Sequence, residues 1–410
     1  MKKILLKRDI YNDIMKVRMV WCTYCDITAL YVYCVIKVFA KRAKPISKER
    51  YMSRLKEIDK NFKIETNIDK SDIKLYSVLE TPFSIHGVKY ENGKFRRMPE
   101  NIAKCVNDGV AYLHTNTSGG RVRFRTDSSY IAISAKMCNI GKMDHFAITG
   151  SGGFDMYVRV NGQDKFNSTF RPPFDFTDGY ESIFEFNTSE MREITINFPL
   201  YSDVCSLYIG LQEKAKIEAP TPYINKKMIV YYGHSMTQGG CASRPGNSYP
   251  SIISRKLNAD FINLGFSGSA RGEREIAEYI ASLDMALFVY DYDHNAPSCE
   301  HLQNTHEAMF KIIRAAHPTL PVIMMTSTSM QRFLDDHERR RQIIYQTYKN
   351  ACDSGDKNVY FWDADKEFAP YAEYGTVEGC HPNDYGFVGI ATSLEPLIKK
   401  IIKQQTKAQE

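Results

Sequence analysis

Ala219-Pro-Thr-Pro222 divides this chain into two stretches with different periodicities, and no other feature limits its fold as much. Two prolines in four residues stop any helix or strand that reaches them. On the amino-terminal side, residues 66–218 carry short alternating or β-branched runs. They are Val122–Thr126, Tyr130–Ala135, Met156–Val160, Ser182–Phe186, Glu193–Phe198 and Cys205–Leu211. Turn residues punctuate the stretch at Thr117-Ser-Gly-Gly120, Gly150-Ser-Gly-Gly153 and Asn161-Gly162. Strands at this spacing, with almost no helical period, predict an all-β sandwich of the jelly-roll kind. On the other side, residues 226–403 alternate apolar runs with amphipathic segments. The runs are Met228–Tyr232, Phe261–Leu264, Ala286–Tyr290, Val322–Thr326 and Val359–Trp362; the segments are Glu273–Ile280, His306–Ala316 and Glu338–Ala351. Repeated βα units predict an α/β domain, a parallel sheet with helices on both faces.

With 410 residues the chain is long enough for two such cores. Its formal charge of +6 is unevenly placed: residues 1–60 hold 15 Lys/Arg against 6 Asp/Glu, the remainder 39 against 42. The folded body thus lacks the basic face that nucleic-acid binding requires, and the basic stretch reads as a solvated segment. Within it, Met19–Ala40 is apolar and aromatic, yet Asp26 sits near its middle, where a charge costs about 3 kcal/mol in a bilayer. Residues 1–60 therefore stay of uncertain status. They read as a membrane anchor through residues 19–40, as an exported leader, or as sequence upstream of a natural start near Met52. The ten cysteines show no paired framework, and Cys22-Thr-Tyr-Cys25 is a lone CxxC without a second pair or a nearby histidine. Free thiols, Cys241 and Cys380 among them, and a reducing, cytoplasmic compartment are the expectation.

The chemistry concentrates at strand ends. Tyr231-Tyr-Gly-His-Ser-Met-Thr-Gln-Gly-Gly240 follows the first apolar run and puts Ser235 on a turn at the carboxyl end of a strand, where open α/β sheets hold their ligands. Far downstream, Glu378-Gly-Cys-His381-Pro supplies a base and, three residues before it, a carboxylate able to orient it. Asn263-Leu-Gly-Phe-Ser-Gly268 follows the second strand and Asp291-Tyr-Asp-His-Asn295 the third. Gly268 can present a backbone N–H at close range and Asn295 a side-chain amide, the donors an oxyanion needs; singly, each is equally a turn residue. Asp291, Asp293 and His294 either line a pocket or form a solvated cluster. Arg244 either contacts a polar substrate or belongs to a structural Arg-Pro-Gly turn.

Taken together, Ser235, Gly268, Asn295 and His381 follow successive strands in an order that resembles the SGNH (GDSL-type) hydrolase superfamily. Gly233-His234-Ser235 stands where Gly-Asp-Ser is usual, and Glu378-Gly-Cys-His381 where Asp-x-x-His is usual. Gly153-Phe-Asp-Met-Tyr157 resembles the Gly-x-Asp-Leu-Tyr signature of a sandwich domain that precedes such hydrolases. The resemblance implies a flavodoxin-like α/β/α fold with Ser235 as nucleophile, His381 as base and Glu378 as its orienting acid. A Ser–His dyad remains the alternative. The oxyanion hole would be the Ser235 N–H, Gly268 and Asn295, and Arg244 and Asp291 would face the substrate. Neither metal nor organic cofactor is implied. The expected reaction is hydrolysis of a small acyl ester, acetyl foremost, on a carbohydrate or similar polar substrate. A lipase or lysophospholipase, and a carbohydrate-binding protein whose serine site has decayed, are the rivals. The resemblance carries no oligomeric state.

Overall fold

The computed structural model describes residues 68–327 and 335–409; the expectations for residues 1–60 lie outside the described residues. Ahead of the two prolines run β1 (Ile73–Ser77), β2 (Ser84–His86), β3 (Lys89–Glu91), β4 (Lys94–Arg96), β5 (Arg121–Thr126), β6 (Tyr130–Ile140), β7 (Phe154–Val160), β8 (Gln163–Phe170), β9 (Gly179–Glu185), β10 (Arg192–Asn197), β11 (Ser202–Gln212) and β12 (Ile217–Glu218). Ten of them form two antiparallel sheets, of order β1-β11-β6-β9 and β12-β5-β10-β7-β8, with β2 also on β5, and β3 pairs with β4 in a small third sheet. Inward residues of both sheets, among them Val122, Phe124, Ile131, Ile133, Phe154, Met156, Ile194 and Ile209, share one core. Alternation is visible along β7: Phe154 and Met156 enter that core, while Asp155 and Tyr157 face the other way.

The cysteine expectation is corrected here. Cys138 on β6 and Cys205 on β11 form a disulfide, with Cα atoms 5.8 Å apart. The two lie 67 residues apart in sequence, and only the antiparallel pairing of β6 with β11 brings them together. Cys105, Cys241, Cys299 and Cys352 are free. The expected near-absence of helix in this stretch is also amended by α1 (Glu100–Val106) and α2 (Asp108–Leu113). Each is under two turns long, too short to give a clear period. Asn107 separates them and caps α2, its Oδ1 accepting the Val110 N–H at 2.8 Å. A further short helix, α3 (Ile148–Ser151), leads into β7.

Beyond the prolines, β13 (Asn225–Gly233), β14 (Ala259–Gly265), β15 (Met285–Asp291), β16 (Val322–Met325) and β17 (Val359–Trp362) coincide with the five apolar runs. They pair in parallel in the order β14-β13-β15-β16-β17, the flavodoxin-like arrangement whose ligand crevice opens at the carboxyl ends beside the first strand. The helices are α4 (Ser235–Gln238), α5 (Tyr249–Leu257), α6 (Arg274–Ala281), α7 (Cys299–Ala316), α8 (His337–Asp353), α9 (Ala364–Glu367) and α10 (Asp384–Gln409). Because the sheet is covered on both faces, its strands are apolar throughout. Val230, Tyr232, Phe288 and Tyr290 meet α6, α7 and α8; Ile229, Tyr231, Leu287 and Val289 meet α5 and α10. Met98, Ala103, Val110 and Leu113, from α1–α2 and its approach, are buried in the first of these cores rather than in the sandwich. No helix among the described residues is long and apolar enough to cross a membrane.

Candidate active site

β13 ends at Gly233, where a Cβ would collide with Thr237 Oγ1 and the Asp291 carbonyl. The chain turns through His234 directly into α4, and Gly239, at φ +101°, ends the helix after one turn. Ser235 is thus the first residue of a helix set on the sheet's carboxyl edge. Its Oγ–H donates to His381 Nε2 at 2.9 Å, and His381 Nδ1–H donates to Glu378 Oε1. Glu378 also accepts the His381 backbone N–H, at 3.2 Å. The loop closes on itself: Thr376 bridges Pro382, Val377 N–H donates to the His381 carbonyl at 2.9 Å, and Gly379 sits at φ +87°. Three residues of separation therefore place acid and base on one tight loop. With Nδ1 committed to Glu378, the lone pair of the imidazole lies on Nε2, facing the serine.

The next two strand ends are stitched to this turn. Phe266 N–H donates to the Gly233 carbonyl at 2.7 Å, and His234 N–H to the Asp291 carbonyl at 3.0 Å. The Asn295 side-chain amide donates to the Phe266 carbonyl at 3.0 Å, leaving its second hydrogen for a ligand. Gly268 is exposed at φ +68° with open space beyond its Cα. Buried Asn263 ties the layers together, donating to the Thr237 carbonyl at 2.6 Å and accepting the Gly265 N–H at 2.9 Å.

Two sequence-derived candidates point elsewhere. Arg244 stacks on Phe166, 3.8 Å from the ring centroid, and approaches Asp155 at 3.6 Å; it clamps the sandwich rather than facing Ser235. Asp291 is 5% exposed and lies beneath the nucleophile turn, 3.0 Å from His234 Nε2 and 3.4 Å from Thr237 Oγ1. Asp293, 1% exposed, accepts hydrogen bonds from the Ser327 N–H and hydroxyl, so this group is no solvated cluster. His294 beside it is pulled down to about 4 by burial. His234, in the place of the usual acid, caps the start of α4 through its Nδ1, which accepts the Met236 N–H at 3.2 Å.

The sandwich supplies the rest of the site. Tyr201 Oη donates to the Ser235 carbonyl at 3.3 Å. Buried Gln238 accepts the Ser267 N–H at 3.0 Å while its amide reaches Asn116 and the Leu200 carbonyl. Asp155, fully buried, accepts Gly246 N–H and Asn197 Nδ2, both at 2.8 Å, and the Tyr157 ring fills the space a Cβ on Gly246 would need. The Gly-x-Asp-x-Tyr signature is thus a latch between β7 and the loop after Ser235. The His145 ring lies 5.5 Å from that of His381. Burial, with Glu378 and Cys380 nearby, pushes the Cys241 thiol up to about 12, so it does not compete with Ser235 as a nucleophile at neutral pH. Nothing local in the sequence marks Tyr201, Gln238 or His145, because each meets its partner across a long stretch of chain.

A five-stranded parallel sheet of this order, with serine, histidine and carboxylate gathered at its carboxyl edge and an antiparallel sandwich latched beside it, has the build of an SGNH-type hydrolase. Residues 226–399 match the GDSL-like lipase/acylhydrolase family, and residues 73–217 match the GxDLY family, the N-terminus of SGNH-hydrolase-type esterases. Together the two matches make the chain an esterase of the SGNH type. It is similar to a protein from Bacteroides ovatus described as a GDSL-like lipase: 28% identity, 81% of this chain and 98% of that one, TM-score 0.73. It shares its fold with a salicylyl-acyltransferase from a tetracycline biosynthetic pathway (18% identity, 79% and 96% coverage, TM-score 0.65). It also shares it with a family two carbohydrate esterase from Cellvibrio japonicus (12% identity, 81% and 98% coverage, TM-score 0.55). No curated protein matches the sequence.

Proposed function

We propose that the protein removes small acyl groups, acetyl foremost, from a carbohydrate or similarly polar ester through an acyl-enzyme on Ser235. The contact that carries this reading is Ser235 Oγ–H to His381 Nε2 at 2.9 Å, with Glu378 on the opposite nitrogen. In the forward step Oγ attacks the ester carbonyl as its proton passes to Nε2. The resulting oxyanion is received by the Ser235 and Gly268 N–H groups and the free hydrogen of the Asn295 amide. Removing one such donor costs about 10²–10³ in rate. His381 then returns the proton to the departing alcohol. Water, deprotonated by the same nitrogen, releases the acid and restores the serine. Glu378 keeps Nδ1 protonated throughout and stabilises the imidazolium.

A polar alcohol is favoured by the stretches between the motif blocks, which carry no long apolar insertion of the kind a lipid cleft needs. Tyr374, 70% exposed next to the His381 loop, offers a flat face on which a sugar ring can pack. The fold shared with a carbohydrate esterase points the same way. For the compartment, the Cys138–Cys205 bridge favours an oxidising environment over the cytoplasm. Alkylating the protein from cells lysed without reductant tests this: two blocked thiols support export, two labelled ones the cytoplasm.

The activity test is hydrolysis of p-nitrophenyl acetate, butyrate and octanoate by the wild type and S235A, followed by acetylated sugars. Activity steepest for acetate and lost in S235A supports the reading. Equal rates in both proteins would remove Ser235 from the reaction, and a preference for octanoate would replace the polar ester with a lipid-like one.

A further inference from the structure

Three donors that hydrolysis does not require as a group meet beside the nucleophile. His145, from the loop between β6 and α3, Cys241, just after α4, and His381 each offer one ligand atom, all within 4.8 Å of one another. Two imidazoles and a thiol form a borderline-soft set, suited to zinc and unsuited to magnesium or calcium. The supporting contacts are those a metal site needs. His145 Nδ1 meets Asp144 Oδ1 at 3.0 Å, as His381 Nδ1 meets Glu378. A carboxylate on one ring nitrogen fixes the tautomer and leaves the other as a basic lone pair. Cys380 and Glu378 form a separate donor group with His381, within the same 4.8 Å limit. Cys241 itself is 6% exposed and held at φ +76°, a conformation that residues with a β-carbon seldom adopt. The other donor-rich group, His234 with Asp291 and Asp293, differs in kind: its atoms already serve the Met236 N–H, Thr237 and Ser327.

We propose that His145, Cys241 and His381 form a binding site for a thiophilic divalent cation, zinc foremost, and that the bound ion switches the esterase off by occupying His381. On binding, Cys241 coordinates as the thiolate and its proton leaves to solvent. The imidazole lone pair that would accept the Ser235 proton becomes a metal bond, and removing the ion restores it. The inhibition rests on the proposed roles of Ser235 and His381; the binding does not.

Cobalt(II), a coloured stand-in for zinc, tests the binding without any assay of catalysis. The wild type is expected to bind one equivalent and to develop a near-ultraviolet thiolate-to-cobalt band. That band should disappear in Cys241→Ala and in Cys241→Ser, with binding weakened in His145→Gln. In parallel, zinc is titrated against p-nitrophenyl acetate hydrolysis. Both cysteine variants should keep near-wild-type rates in chelator, while the inhibition midpoints of all three rise by at least the roughly 10–100-fold that losing even a supporting partner costs. A cobalt complex with no thiolate band, or unchanged midpoints in both cysteine variants, would overturn the site. If the wild type hydrolyses no ester at all, the proposed function fails, and the cobalt spectrum still decides the metal site.

Discussion

His234 stands where related first blocks usually have an acid, and opposing effects meet on its ring. Burial works against its protonation, but the carboxylates of Asp291 and Asp293 outweigh it and hold the imidazole above its ordinary value. Protonation would put a hydrogen on Nδ1, against the Met236 N–H that Nδ1 now accepts, one residue beyond the nucleophile. Both H234N and H234A leave Asp291 buried without its partner, at about 3 kcal/mol. An asparagine oxygen can still take the Met236 N–H, so H234A should be less stable than H234N by about a further 1 kcal/mol. Thermal denaturation of the two checks this, and equal melting temperatures would mean the imidazole caps nothing. For the acid, E378Q should lower kcat by roughly 10²–10⁴-fold with KM little changed; a full rate would leave a Ser–His dyad. Ser235, Glu378 and His381 are legible in the sequence because their spacing is local or lies in ordered blocks. The directions of Arg244 and Asp291 are not, since Phe166 and Asp155 of the sandwich hold one and the packing under the turn holds the other.

Among elements, β7 has the most to answer for. Phe154 and Met156 fill the sandwich, while Asp155 and Tyr157 hold the loop after Ser235. D155A strips partners from the Gly246 N–H and the Asn197 amide at once, with an expected loss of about 2–4 kcal/mol, and kcat should fall as the loop loosens. Tyr157 works through its ring: its hydroxyl, buried, has no hydrogen-bond partner. Y157F should therefore be near neutral, whereas Y157A should cost about 3–5 kcal/mol. Denaturant unfolding of the pair separates packing from hydrogen bonding. Strands such as β5, β6 and β10 are readable because one face is buried and period two survives. β8 is not: Gln163-Asp-Lys-Phe-Asn-Ser-Thr-Phe170 lies at the sheet edge, mostly outside the core, so nothing forces alternation on it. α1 and α2 escape notice for a different reason, since the face they bury is matched by a sheet more than a hundred residues further on.

For the molecule as a whole, acid stability follows from its histidines. Burial depresses His86, His114, His294 and His306, the last to about 3, and His234 alone among those with a clear shift goes up. A histidine depressed in the folded state contributes stability that is complete above the unfolded value near 6.5 and is lost as pH falls toward its folded value. His234 works in the opposite sense, but singly. Stability should therefore decline below about pH 6.5. H306Q should flatten that decline by up to roughly 4 kcal/mol between pH 6.5 and 3, as measured by melting temperature against pH. The two halves are also not separable. Met98, Val110 and Leu113 lie in the core under the parallel sheet, and each contributes ~1.5–3 kcal/mol by burial, against a total of about 5–15 kcal/mol for a typical protein. A chain beginning at residue 219 should aggregate, and light scattering after expression would show it. The same insertion bears on descent. A recombination at the Pro220–Pro222 link, the place where the sequence invites a cut, would deliver a hydrolase with a hole in its floor. Recombined chains should therefore keep a closed core only when both segments pass on together.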